Sequence, residues 1–298
     1  MGRKILFITT DQQRYDALGC NGGSIARTPV IDALARNGIV YDRAHPQNVV
    51  CMPSRSTMLT GQHVSTHGVW MNGVPLSSDA PSIASDLRRS GYRTALIGKA
   101  HFEPFIDPFL RFAENRIGSG GLETEMIVGA DGLPAPHRGF EHFALATHGG
   151  AGPFHYARWL REKNPAAAAM FFQVLDQQLQ VNAGGGGDTG APQVKHNEIP
   201  REWYHTEWVA DQTIAWLGTL PADADWFCWM SFPDPHHPWD PPKSELARVN
   251  WKDLDLPPGY IEDAAQRERV LDDKPRHWRM WYDGTFISNY EAPSKWVP

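Results

Sequence analysis

Three short apolar runs, each followed at once by polar residues, constrain the fold of this chain more than any other feature. They cover residues 4–10, 94–97 and 226–232. Continuous apolar runs of this length are typical of strands in a parallel sheet, because such a sheet is buried on both faces. Helical patterns lie between them, for example over residues 28–38 and 202–220. The alternation predicts an α/β fold with a mostly parallel central sheet flanked by helices.

Polar side chains suited to binding and catalysis follow each of these strands. Asp11 and Gln12 follow the first strand, Lys99 and His101 follow the second, and His236 follows the third. Open α/β sheets bind their ligands beyond the carboxyl ends of the strands. Lys99 and His101 are two residues apart at a strand end, so their side chains are expected to project the same way. The pattern predicts a binding site at this edge of the sheet.

A further segment, residues 51–61, reads Cys-Met-Pro-Ser-Arg-Ser-Thr-Met-Leu-Thr-Gly. Pro53 fits the first turn of a helix, because the N–H that proline lacks would be unpaired there anyway. Cys51 then lies just before a helix N-terminus, where N–H groups and the helix dipole favour negative charge. Arg55, one turn on, can return its guanidinium to the same point and bind an oxyanion. For an isolated cysteine, a buried structural role would be the alternative.

The complete run resembles the signature of the type I sulfatases, a branch of the alkaline-phosphatase-like superfamily. The segments around Lys99 and His236 also resemble that family. The resemblance implies that a maturation enzyme oxidises Cys51 to formylglycine, an aldehyde whose hydrate attacks sulfur. It implies that Cys51, Arg55, Lys99, His101 and His236 are catalytic, and that Lys99 and His236 also bind the substrate. An alkaline-phosphatase-like fold is expected.

The same resemblance implies a site for a divalent cation. In the sulfatases the first strand ends in an acidic pair that binds the cation. Asp11 matches the first position, and Gln12 replaces the second aspartate; its amide oxygen can still bind a hard cation, but without charge. We expect Asp11, Gln12 and the modified Cys51 to hold calcium, with manganese or magnesium as alternatives. A helix N-cap is the alternative role for Asp11.

Asn72 bears on the choice between two related activities. Family relatives that cleave sulfate or phosphonate esters place an asparagine near this point, in contact with the substrate. Asn72 is therefore a candidate substrate-binding residue, although Asn72-Gly73 is also a common turn pair. The tail, residues 278–293, resembles the phosphonate monoester hydrolase branch, whereas Lys99 and His101 favour the sulfatases. The sequence predicts a sulfuric ester hydrolase, with a phosphonate monoester or phosphodiester hydrolase as the alternative.

The resemblance extends over the chain but covers only the N-terminal part of the family. No strand pattern is followed by Asp-His-Gly or Asp-Asn-Gly, which supplies the other half of the metal site in the family. We therefore expect residues 1–298 to form an incomplete N-terminal catalytic domain, truncated before the C-terminal domain. Such a domain would expose a sheet edge and show weak or absent activity. A non-catalytic remnant is the third hypothesis.

Two stretches carry little pattern. Residues 105–150 show no clear periodicity and are predicted to be substrate-facing loops, with His137 and His142 on the surface or, as the alternative, in the site. Residues 182–192 are rich in glycine and predict a flexible loop. That loop lacks the Gly-Lys-Ser/Thr ending of a phosphate-binding P-loop.

Charge and hydropathy limit the expected partners. The net charge of −6 argues against nucleic acid. No stretch approaches the length of a membrane span, and the N-terminus lacks a signal-peptide pattern, so we expect a cytoplasmic protein. Three cysteines do not suggest a disulfide framework. The expected partners are a small-molecule sulfate ester and the formylglycine-generating maturation enzyme, and a homo-oligomer stays open.

Overall fold

The structure of the chain is a computed structural model. It describes residues 3–104, 109, 111–119, 127–128, 134–135, 137–147, 154–169, 199–237, 239–257 and 259–283. The glycine-rich segment at 182–192 and the end of the tail lie outside the described residues. The chain divides into a first unit, of residues 1–13, 35–168 and 202–236, and a second unit, of residues 14–34, 169–201 and 237–298. The assignment of residues 1–298 to one catalytic domain stays a prediction.

The described elements alternate between strands and helices along much of the first unit. The strands are β1 (Lys4–Thr9), β2 (Arg93–Gly98), β3 (Ile127–Val128), β4 (Pro134–Ala135), β5 (His142–Leu145) and β6 (Trp226–Ser231). The helices are α1 (Pro29–Asn37), α2 (Cys51–Thr60), α3 (Val64–His67), α4 (Ile83–Arg89), α5 (Ala113–Ser119), α6 (His155–Lys163), α7 (His205–Gly218), α8 (Lys243–Leu246), α9 (Ala264–Asp272) and α10 (Arg276–Tyr282). Short 3₁₀ turns lie at Tyr15–Ala17, Gly19–Asn21, Arg201–Trp203 and Trp251–Asp253. None of the described helices has the length and apolar character that a membrane crossing requires.

The central sheet of the first unit orders its strands β1-β6-β2-β5, and all three pairings are parallel. Cys228 of β6 lies level with Leu6 of β1 on one side and with Ala95 of β2 on the other. Parallel neighbours need crossover connections, which the helices of this unit supply. The predicted α/β fold with a mostly parallel sheet is therefore confirmed. A separate antiparallel pair joins β3 and β4.

The hydrophobic core of the first unit gathers around β2 and β6. Leu96, Phe102, Phe140, Phe143 and Trp229 are fully buried there. The ring of Phe140 packs 6.2 Å from that of Phe143 and 6.5 Å from that of Trp229, measured between centroids. Full burial of one such side chain contributes about 1.5–3 kcal/mol. The core therefore anchors the two strands that carry most of the site described below.

β1 is much more exposed than the sequence predicts. Its residues Ile5, Leu6, Phe7 and Ile8 are 38%, 43%, 36% and 46% exposed. β1 lies at the edge of the sheet, and no described strand pairs with its outer side. The bounds and direction of this strand agree with the prediction, but its predicted burial is wrong, because only one neighbour covers it. The exposed sheet edge that the sequence analysis expects is present.

Residues 105–150 are not entirely loops, so this prediction is wrong in part. The described residues include α5 and the buried strand β5. His137 is also buried rather than at the surface, because its ring packs between Phe102, at 6.4 Å, and Phe143, at 5.1 Å. His142 is half-buried and stacks on Trp216 at 6.3 Å.

Candidate active site at the carboxyl edge of the sheet

The structure brings together polar side chains from four segments of the first unit. Asp11 lies two residues beyond β1, Lys99 directly follows β2, His236 lies beyond β6, and Cys51 is the first residue of α2. One donor atom from each of Asp11, Cys51 and His236 lies within 4.8 Å of the other two. The carboxyl ends of the parallel strands and the N-terminus of α2 therefore meet at one place. Their catalytic roles stay predictions.

Gly98 lets β2 and β6 approach each other at this edge. Its φ is +109°, a conformation that side chains rarely adopt, and a Cβ there would lie 1.8 Å from the carbonyl oxygen of Ser231. The next residue, Lys99, donates its backbone N–H to the same carbonyl at 2.9 Å. Glycine is required at this strand end, since any side chain would push the two strands apart.

Asp11 is buried between two cations. The Lys99 ammonium contacts Asp11 Oδ2, and Arg55 Nη2 lies 3.3 Å from the same oxygen. Burial on its own would raise the pKa of Asp11, but the charges of Lys99 and Arg55 outweigh it and hold the pKa well below its usual range. One carboxylate and two cations leave this trio with a net charge of about +1. The trio therefore favours an added anion.

Arg55 ties this trio to the ends of the strands. Its Nη1 donates to the carbonyl oxygen of Lys99 at 2.7 Å and to Ser231 Oγ at 2.8 Å. Ser231 Oγ also accepts a hydrogen bond from Thr9 Oγ1 at 3.2 Å. Arg55 thus reaches the Asp11 carboxylate, which also lies beside Cys51, and its predicted binding of an oxyanion stays a prediction. The sequence analysis did not identify Ser231, because a serine inside an apolar run carries no signal of its own.

Cys51 lies beside the same charges. Its Sγ is 3.6 Å from Lys99 Nζ and 3.8 Å from Asp11 Oδ1. Asn72 supports the helix that begins here, because its Oδ1 accepts the backbone N–H of Met52 at 3.0 Å. Asn72 also lies in a turn with Gly73, whose φ is +96°. Asn72 therefore lies in the turn that one interpretation predicts and contacts the start of the Cys51 helix, and its role in substrate binding stays a prediction.

His101 and Gln12 both have left-handed backbone conformations, with φ of 62° and 64°. His101 is buried. Its pKa lies well below the usual range, because burial and then the charges of Lys99 and Arg55 disfavour the imidazolium. His101 is therefore neutral at pH 7. Gln12, the second predicted metal ligand, follows Asp11 and is exposed.

The donor set fits a divalent cation only in part. A hard cation such as calcium takes six or more oxygen ligands. Asp11 offers two carboxylate oxygens and the neighbouring Gln12 one amide oxygen, whereas Cys51 and His236 contribute sulfur and nitrogen. Asp11 is the residue best placed to hold a cation.

The chain matches one protein family along most of its length. The family model described as Sulfatase matches residues 3–255. An arylsulfatase of Clostridium perfringens is 30% identical over 281 residues, which are 90% of this chain and 50% of that protein. An uncharacterised sulfatase of Escherichia coli K12 is 24% identical over 278 residues, which are 93% of this chain and 46% of that protein. This chain spans about half the length of these curated relatives.

Two solved structures share the fold. A phosphonate monoester hydrolase of Agrobacterium radiobacter superposes with a TM-score of 0.68 at 22% identity, over 99% of this chain and 53% of that one. A phosphonate monoester hydrolase from Silicibacter pomeroyi gives 0.66 at 23% identity, over 99% and 51%. Likeness at this identity establishes an alkaline-phosphatase-like fold.

Proposed function

We propose, because this chain belongs to the sulfatase family, that its site hydrolyses sulfuric esters of small molecules. The observation that carries the proposal is the buried trio of Asp11, Lys99 and Arg55 next to Cys51. A net positive, largely dehydrated site suits the negative charge of a sulfate group.

Cys51 is the proposed position of the nucleophile. Family resemblance implies its oxidation to formylglycine, whose hydrate supplies the attacking hydroxyl. The present Sγ lies 3.6 Å from the Lys99 ammonium. A hydroxyl on this side chain would therefore lie close to a positive charge, which favours its deprotonated form. The maturation enzyme is accordingly the proposed protein partner.

The neighbouring side chains would stabilise the charge of the sulfate group and transfer protons. Lys99 and Arg55 supply positive charge to the non-bridging oxygens of the sulfate. His236 has a donor atom within 4.8 Å of those of Asp11 and Cys51, close enough to contact the same group. His101 is neutral at pH 7 and can accept or donate a proton. Protonation of the leaving group falls to His101 or His236.

A divalent cation would complement these residues. We propose calcium, with manganese or magnesium as alternatives, held by Asp11 with help from Gln12 and from position 51. Such an ion would lower the pKa of a hydroxyl at position 51 and would polarise a sulfate oxygen.

The direct test compares two cysteine substitutions. Cys51→Ala should abolish the hydrolysis of an aryl sulfate, because it removes the proposed nucleophile. Cys20→Ala is the matched control, since Cys20 is an exposed free cysteine and should have no effect. Aryl sulfate hydrolysis at the wild-type rate in Cys51→Ala would refute the assignment.

A phosphonate monoester or phosphodiester hydrolase is the second candidate. Its support is the resemblance of residues 278–293 to that branch and the location of Asn72 beside the Cys51 helix. The buried Lys99 and His101 favour the sulfate ester instead. Comparing an aryl sulfate with a phenyl phosphonate ester at equal concentration separates the two. A higher kcat/KM for the phosphonate ester would favour the second candidate.

A further inference from the structure

A second cluster of buried titratable groups lies in the first unit, next to the segment that carries His101. Glu103, Glu114 and His137 are all buried, and one donor atom from each lies within 4.8 Å of the other two. Arg138 is buried beside them. The proposed reaction uses none of these four residues, and the sequence points only to His137, as a surface or a site residue.

The cluster is fully hydrogen-bonded without a metal ion. Glu114 Oε1 and Oε2 accept the backbone N–H groups of Phe102 and His101, at 2.8 and 3.0 Å. Glu103 Oε2 accepts the backbone N–H of Glu114 at 3.0 Å, and Arg138 Nη2 lies 3.3 Å from Glu103 Oε1. Every carboxylate oxygen therefore has a donor already. This arrangement indicates that the cluster acts as a structural anchor.

The backbone conformation of His101, whose N–H donates to Glu114, is unfavourable. His101 has φ of 62°, in the left-handed region. A residue with a side chain costs about 1–2 kcal/mol there. Successive N–H groups in such a turn form a concave site for an anion. The Glu114 carboxyl group occupies that site and accepts both N–H groups.

The backbone on both sides of His101 is fixed independently. The Lys99 N–H donates to the carbonyl of Ser231 at 2.9 Å, and the carbonyl of Phe102 accepts the N–H of Leu76, also at 2.9 Å. Between these two points, Glu114 binds the N–H of His101 itself. The carboxylate is therefore placed to decide how this turn, and with it the imidazole, is oriented.

Burial of the Glu114 carboxylate is unfavourable in itself, because it removes a charged group from water. Burial raises the pKa of Glu114 to about 7, although the hydrogen bonds from Phe102 and His101 and the charge of Arg138 act in the opposite direction. Arg138 is itself fixed, because its guanidinium donates to the carbonyls of Leu76 and Ser77 at 2.8 and 2.9 Å. The cluster thus holds Glu114 in place against the turn.

We propose that Glu114 is a positioning residue: its carboxylate holds the left-handed turn at His101 and thereby fixes the orientation of the His101 imidazole. The structural part of this proposal is independent of the proposed function. Its catalytic consequence rests on that function.

The first test observes His101 directly by NMR in the 298-residue chain, with labelled histidine and backbone amides. Glu114→Gln keeps one acceptor oxygen but turns an NH₂ group towards the second backbone N–H. We expect hydrogen exchange at His101 and Phe102 to accelerate about tenfold, and the His101 ring resonances to shift. If Glu114→Gln fails to fold, Glu114→Asp, a carboxylate one methylene shorter, should give the same changes.

Glu141→Gln is the matched control, because Glu141 also supports β2 by accepting a backbone N–H, from Thr94 at 3.3 Å, and by pairing with Arg93 at 2.7 Å. It lies at the other end of the strand and should leave the His101 resonances unchanged. The proposal is overturned if the Glu114 variant leaves exchange and resonances at their wild-type values. It is equally overturned if the Glu141 variant moves them as much.

The second test asks whether Glu114 acts through His101 in catalysis. Glu114→Gln should lower kcat for an aryl sulfate about 10²-fold, the size of effect that a small misplacement produces, with KM within about threefold. In a His101→Ala background the same substitution should cause no further loss of kcat, because the two residues act as one unit. An undiminished loss in that background would mean that Glu114 acts elsewhere. If the wild-type chain hydrolyses no sulfate ester, the proposed function fails, and the NMR test still decides the role of Glu114.

Discussion

Replacing Asp11 by asparagine tests the buried charge cluster most sharply. The substitution removes the carboxylate that contacts both Lys99 and Arg55, whose side chains are 2% and 6% exposed. Two cations would then stay buried together without that counter-charge. Breaking a buried ion pair by removing one partner costs about 3–5 kcal/mol. We expect Asp11→Asn to lower the free energy of unfolding by about 3 kcal/mol.

Lys99→Met should behave very differently, although Lys99 is equally buried. The methionine keeps the apolar length of the side chain, and Asp11 retains its pair with Arg55 at 3.3 Å. The trio then becomes neutral overall. Because the desolvation cost of a buried ammonium disappears with it, we expect a change smaller than about 1 kcal/mol, of either sign.

Urea unfolding of both variants, in a chelator so that bound metal makes no contribution, measures this difference. Asp16→Asn is the control, because the Arg14–Asp16 pair is exposed and exposed pairs add little to stability. Its unfolding midpoint should equal that of the wild type. Equal losses for Asp11→Asn and Lys99→Met would refute the reasoning, because charge balance would then not be the cause.

Three further predictions follow from single features of the structure. Gly98→Ala should lower the free energy of unfolding, measured by thermal denaturation, by about 3 kcal/mol, or prevent folding. Gly218→Ala is the control and should be neutral or stabilising, because a Cβ at Gly218 meets nothing within 4 Å. Burial lowers the pKa of His155 from 6.5 to about 4 in the folded state. As the pH falls from 6.5 to 4, the unfolded state therefore binds the proton first, and about 3 kcal/mol of stability is lost. Urea unfolding at several pH values should show this loss in the wild type and not in His155→Gln. Calcium affinity, measured by calorimetry, should be weaker than micromolar, because Asp11 and Gln12 offer few oxygen ligands; micromolar binding would contradict this account of the donor set.

The long elements of the fold could be predicted from the sequence because their patterns are local. The apolar runs of β1, β2 and β6 predict their bounds to within one or two residues. The exposure of β1 could not be predicted, because it depends on sheet order, which a single strand does not encode. α5 and β5 were missed because seven and four residues are too short for a period to be recognised.

The residues of the candidate site could likewise be predicted only where the sequence carries a local signal. Cys51 and Lys99 were identified because each lies in a short motif at a strand end or a helix start. The contacts of Arg55 could not be read from the sequence, because its partners Asp11 and Ser231 are 44 and 176 residues away along the chain. Glu114 had no local signal at all, since its role arises only from the turn that the fold places against it.

The central claim is that the oxidised side chain at position 51 carries out the reaction. The most direct measurement expresses the chain with different amounts of a formylglycine-generating enzyme and supplies calcium. Mass spectrometry of the peptide that contains Cys51 gives the converted fraction, and aryl sulfate hydrolysis is measured on the same samples. We predict a rate proportional to the converted fraction and absent in Cys51→Ala. Hydrolysis by unconverted protein or by Cys51→Ala at the rate of the converted protein would contradict the claim.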